Sequence, residues 1–79
     1  MKPIYVVQSM DCGIIGVFGN LLKAHKIASK SCIYSEPNIT HLSYSRLCRE
    51  IKGSVNYPVY ISEICGISIT CYELNREEY

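Results

Sequence analysis

The apolar positions of this chain recur with a period near two at both ends and near three and a half in the middle. Residues 3 to 10, PIYVVQSM, are dense in β-branched and aromatic side chains that suit a pleated surface, and they read as a strand. Asp11, Cys12 and Gly13 supply a turn, and IIGVF from Ile14 to Phe18 reads as the returning strand of a hairpin, with Gly16 a bulge or close-approach position. Gly19 and Asn20 end it. The Asn20 side-chain oxygen suits an N-cap, since it can accept from an orphan amide of the first helical turn. Beyond it, Leu21, Ala24, Ile27, Ala28 and Ser31 fall at three- and four-residue spacings and form one apolar stripe, with Lys23, Lys26 and Lys30 on another face.

The helical pattern weakens from Cys32 to Ile39 around Glu36, Pro37 and Asn38, and this span reads as a loop. A second helix starts near Thr40 or Ser43 and runs to Lys52, with Gly53 as its stop. Tyr44, Leu47, Cys48 and Ile51 make its apolar face, and Arg46, Arg49, Glu50 and Lys52 point to solvent. Residues 55 to 63 alternate, with Val55, Tyr57, Val59 and Ile61 on one side. Residues 67 to 74 alternate again, with Ile67, Ile69 and Cys71 opposed by Ser68, Thr70 and Tyr72. Cys65 and Gly66 join them as a hairpin, Pro58 marks an edge strand, and the charged tail from Asn75 to Tyr79 reads as a frayed end. The order ββααββ predicts an α+β fold: a four-stranded, mainly antiparallel sheet with two helices on one face, in a single domain over residues 1–79.

Composition narrows the classes. With 79 residues, 48% apolar and 19% charged, the chain has the make-up of one small globular domain rather than a disordered segment. Four apolar residues between Pro3 and Gln8 are too few for a secretory or spanning segment, so an intracellular, cytoplasmic protein without membrane attachment is expected. Five cysteines, an odd number with no pair at the short spacing of a zinc knuckle, read as free thiols, and no cofactor or metal is expected. No paired carboxylates, nucleophile elbow or phosphate-loop signature occurs, so the chain does not read as an enzyme. Gly13, Gly16 and Gly19 match no nucleotide fingerprint, which leaves the helix start at Asn20 as the one place for a small anionic ligand.

Charge layout says more than net charge, which is +1. Residues 20 to 52 hold Lys23, Lys26, Lys30, Arg46, Arg49 and Lys52 against Glu36 and Glu50, whereas residues 63 to 79 hold Glu63, Glu73, Glu77 and Glu78 against Arg76. Two helices over one sheet face would gather those cations, with Tyr44 among them, into a basic patch for an acidic protein or nucleic acid. Seven tyrosines without tryptophan are the other departure from average usage. Tyr60 and Tyr72 oppose the apolar sides of their strands, so an uncovered sheet face would carry them as anchors for a partner or a homodimer.

The runs GIIGVFGNLLKAHKIA, SYSRLCREIKG and ITCYELN resemble small uncharacterised accessory proteins encoded by bacteriophages, over Ile14 to Asn75. The resemblance implies a compact α+β fold and a protein that binds and inhibits a host macromolecule, for example a component of a defence system, inside the host cell. It implies no catalytic residues. Lys23, Lys26, Lys30, Arg46 and Arg49 are then the steering and contact charges, with Tyr44, Tyr60 and Tyr72 the aromatic contacts. The partner is a host protein or protein complex, or, in the alternative reading, a nucleic acid.

Overall fold

The computed structural model describes residues 2–35, 41–62 and 64–74. Strands β1 (Lys2–Ser9) and β2 (Gly13–Phe18) form the first hairpin, turned at Gly13, whose φ of +78° lies in the left-handed region that glycine enters without a Cβ clash. Val7 pairs with Gly16 but Gln8 pairs with Ile14, so Ile15 is the extra residue of a β-bulge. A Cβ at Gly16 would stand 2.9 Å from the far edge of the Phe18 ring, so a side chain there would push that ring aside.

Helix α1 spans Leu21–Ser35. Asn20 caps it: Oδ1 accepts from the Leu22 amide at 2.8 Å and the Lys23 amide at 3.3 Å. The helix overruns the expected loop, since Cys32 to Ser35 are helical. Cys32 falls four residues after Ala28 and is 1% exposed, so it extends the buried stripe of Ala24 and Ala28 by one turn. The rest of that loop, with Glu36, Pro37 and Asn38, lies outside the described residues, as does the tail from Asn75.

Helix α2 spans Tyr44–Lys52. Ser43 Oγ accepts from the Arg46 amide, and the Gly53 and Ser54 amides donate back to the Glu50 and Ile51 carbonyls, so both ends close as the sequence indicated. Strands β3 (Pro58–Ser62) and β4 (Ile67–Leu74) make the second hairpin. The third strand is shorter than its alternation suggested. Val55 to Tyr57 form a turn, in which Asn56 has φ +71° and the Tyr57 amide donates to the Ser54 carbonyl at 3.0 Å. Asparagine tolerates that conformation, and Tyr57 precedes a proline, so the turn wins over the pattern and leaves Tyr57 71% exposed.

The sheet runs in the order β2-β1-β4-β3 with every pair antiparallel. Pro58 sits on the edge strand β3, where its missing amide costs no ladder bond on the second side. One face holds the rows Phe18–Tyr5–Cys71 and Gly16–Val7–Ile69–Val59. Val7, Val59, Ile61, Ile67, Ile69 and Cys71 from this face join Ala24, Ala28 and Cys32 of α1 and Leu47 and Ile51 of α2 in one core cluster. Both helices therefore cover the same side. The opposite face carries the rows Ile4–Tyr72, Val17–Val6–Thr70–Pro58 and Ile14–Gln8–Ser68–Tyr60, and no described helix lies over it.

Candidate binding surfaces

On α1, an advance of about 100° per residue puts Lys23, Lys26 and Lys30 within about 60° of one another and opposite the buried Ala24, Ala28 and Cys32. All three lysines are exposed. On α2 the same geometry sets Arg49 directly opposite the buried Leu47 and Ile51, with Arg46 beside it, and both are exposed. Because the two helices share one sheet face, these five side chains stand on the outer surface of one layer. Arg46 meets Glu50 at 3.7 Å in the one ion pair among the described residues. Both partners are largely exposed, so the pair contributes only about 0.3–0.5 kcal/mol.

Two hollows lie on this side. Arg46, Arg49 and Glu50 border a shallow one of about 320 Å³. Lys30 stands at the rim of a cleft of about 410 Å³, lined by Ile15, Ile27 and Ile67 together with Ser9, Cys12 and Ser31. The bulge is what brings Ile15 to this wall, since its neighbours Ile14 and Gly16 hold the ladder positions on either side.

Tyr44 is placed differently from the arginines on its helix. Its ring stands edge-on to His25 of α1 at 5.8 Å, and the neighbouring Cys48 thiol, ahead of desolvation, raises the phenol above its ordinary range. His25 Nε2 donates to the Leu42 carbonyl at 2.8 Å, which fixes the proton on that nitrogen, and the His41 ring lies 6.3 Å from His25. Tyr44 is thus part of the seam between the helices. His41 Nδ1 is buried there with no hydrogen-bond partner among the described residues.

Tyr60 and Tyr72 lie on the sheet face away from the helices, 43% and 38% exposed, whereas Val6, Ser68 and Thr70 between them are buried. Ile14 and Val17, which sequence reasoning did not single out, are 63% and 57% exposed on the same face. The bulge hides them from a period-two reading, because one extra residue shifts the phase of alternation along β2. Between the Ile4–Tyr72 row and the Ile14–Tyr60 row, the described side chains include no lysine, arginine, aspartate or glutamate.

The thiols differ in burial. Cys12 is exposed; Cys32 and Cys71 are buried; Cys48 and Cys65 lie between. Burial, then the neighbouring Cys65, pushes the Cys32 thiol up to about 11, and burial with Glu73 nearby raises Cys71. Both stay protonated at neutral pH, a poor state for a nucleophile or metal ligand. Desolvation, followed by Cys71, Cys48 and Glu73, likewise raises Tyr5. Among the described residues no three His, Cys, Asp or Glu side chains gather at one point. At the α1 start, the Leu22 and Lys23 amides that an anion would take are already bonded by Asn20.

No family model, curated protein or solved structure matches this chain. No described helix is long and apolar enough to cross a membrane. The sequence-predicted residues divide into three places: Lys23, Lys26, Lys30, Arg46 and Arg49 on the helical surface, Tyr44 in the helix seam, and Tyr60 and Tyr72 on the opposite side of the molecule.

Proposed function

We propose that this chain is a non-enzymatic binding protein that occupies an acidic surface of a host protein through its outer helical layer. The observation that carries this reading is the row of exposed cations, Lys23, Lys26 and Lys30 with Arg49, none of which has a carboxylate partner among the described residues. Unpaired cations on rigid helices steer encounter with an acidic partner and set its orientation. The cleft below Lys30 adds an apolar socket for a partner side chain at the edge of the charged row. Seated in this way, the protein blocks whatever the covered surface serves, as an inhibitor of a host process such as defence.

Nucleic acid is the second reading, favoured by the same cations. Glu50 counts against it, because this carboxylate pairs with Arg46 and borders the same hollow as Arg49, where it would repel a phosphate tracked along α2. The double substitution Lys23→Glu with Lys26→Glu is expected to weaken partner binding by at least tenfold. Measured across salt concentrations, binding to a protein should fall gently, whereas phosphate binding falls linearly in log salt with a slope of several released ions. Unchanged binding by the double variant contradicts the helical-face reading altogether.

A further inference from the structure

We infer that the cleft at Lys30 receives the carboxyl-terminal residue of the partner chain, with an aliphatic side chain among the isoleucines and the terminal carboxylate on Lys30. The inference rests on the helical-face reading and names what enters its socket. The hollow has a cause in the sequence. On the helix-covered face, the row next to Gly16–Val7–Ile69–Val59 is Gly13–Ser9–Ile67–Ser62, where one large side chain stands among a glycine and two serines. Ile27 and Ser31 of α1 line the other side, and the small residues of the row leave a space of about 410 Å³ between sheet and helix.

That volume lies at the low end of the roughly 300–1,000 Å³ of ligand pockets, so it suits the end of a chain and not a helix, which is about 10–12 Å across. Its walls are apolar on three sides. Ile67 is buried at the base, Ile27 is half-buried on α1, and Ile15 stands exposed where the bulge displaces it. A branched aliphatic side chain entering here is removed from water against all three.

The polar groups of the lining specify the rest of the occupant. Lys30 has no carboxylate partner among the described residues. Ser9 Oγ accepts from the Asp11 amide at 3.2 Å, which leaves its own proton to donate. Ser31 spends its proton on the Ile27 carbonyl at 3.0 Å, so its oxygen is left to accept. A terminal residue supplies the complement of this set: a carboxylate for Lys30 and Ser9, and a peptide N–H for Ser31. An internal residue brings a neutral carbonyl in the carboxylate's place and leaves Lys30 without a counter-charge. In an extended chain, an acidic neighbour of the aliphatic residue points to the opposite side, away from the cleft. A free aliphatic acid carries the charge but has no N–H for Ser31.

NMR titration of the labelled full chain with acetylated glycyl-glycyl-leucine tests this. The free acid is expected to shift the Ile15, Ile27 and Ile67 methyls saturably in the millimolar range, and the corresponding leucinamide to bind about fivefold more weakly or worse. Lys30→Gln should bring the acid down to the level of the amide. The free acid 4-methylpentanoate, which has the same branched body and carboxylate without the N–H, should bind more weakly than the peptide. Equal affinity of acid and amide overturns the inference, as does an acid–amide difference that survives Lys30→Gln. So does 4-methylpentanoate bound as tightly as the peptide, or the absence of a saturable shift at the three isoleucines. Lys23→Glu with Lys26→Glu lies on the outer row and should leave the titration unchanged. Partner binding lost in that double variant, with no peptide bound by the wild type, overturns the cleft and leaves the helical row standing. Peptide bound as expected, with partner binding unchanged in the double variant, supports the cleft and overturns the helical row.

Discussion

Cys32 is the residue whose surroundings translate most directly into a measurable property. Its thiol is 1% exposed, and burial beside Cys65 lifts its pKa from the ordinary 9.0 to about 11. Between those values the folded chain keeps the proton and the unfolded chain has lost it. The associated stability is therefore complete below about pH 9 and is lost as pH rises through 11. Urea midpoints taken at pH 7, 9 and 10.5 are expected to fall over the last interval, and Cys32→Ala should flatten that fall while costing stability at pH 7 through lost packing. A midpoint of the variant that falls as steeply as that of the parent contradicts the assignment. At the same scale, Asn20 shows a polar side chain used locally: by capping α1 it occupies the amides that would otherwise attract an anion.

Among the elements, α2 depends on few contacts. Of its nine residues only Leu47 and Ile51 are buried, and Leu47 is fully enclosed. Leu47→Ala is expected to cost about 2–5 kcal/mol by urea unfolding, with the amides of α2 exchanging first. A loss under about 1 kcal/mol would mean that the seam of His25, His41 and Tyr44, not the core contact, holds the helix. Element order and sidedness were legible in the sequence because each apolar stripe has one period and one partner layer. Two boundaries were not. Cys32 read as the start of a loop because polar and turn-forming residues follow it, yet its spacing from Ala28 makes it the last rung of the stripe. Val55 and Tyr57 extended the alternation of β3 past its real start, where Asn56 and the residue before Pro58 enforce a turn.

For the whole molecule, the division of charge between two faces is the feature that matters. The outer helical layer holds Lys23, Lys26, Lys30, Arg46 and Arg49, and the far side of the sheet between Ile4 and Tyr60 holds no charged side chain among those described. The cations and the two tyrosines could be assigned to opposite sides from spacing alone, given two helices on one face. The exposure of Ile14 and Val17 could not, because Gly16 signals a bulge or a close approach without fixing Ile15 as the extra residue that shifts the alternation. The central claim is that both helices pack on one side of the sheet, so that Ile14, Val17, Tyr60 and Tyr72 stand in solvent on the other side, around the buried Val6, Ser68 and Thr70. NMR with a soluble paramagnetic probe, at a dilution that keeps the chain monomeric, tests it most directly. The account predicts strong broadening of the Ile14 and Val17 methyls and of the Tyr60 and Tyr72 rings, with Val7, Ile69 and Leu47 left sharp. Tyr60 and Tyr72 as well shielded as Val7 in the dilute chain would contradict it.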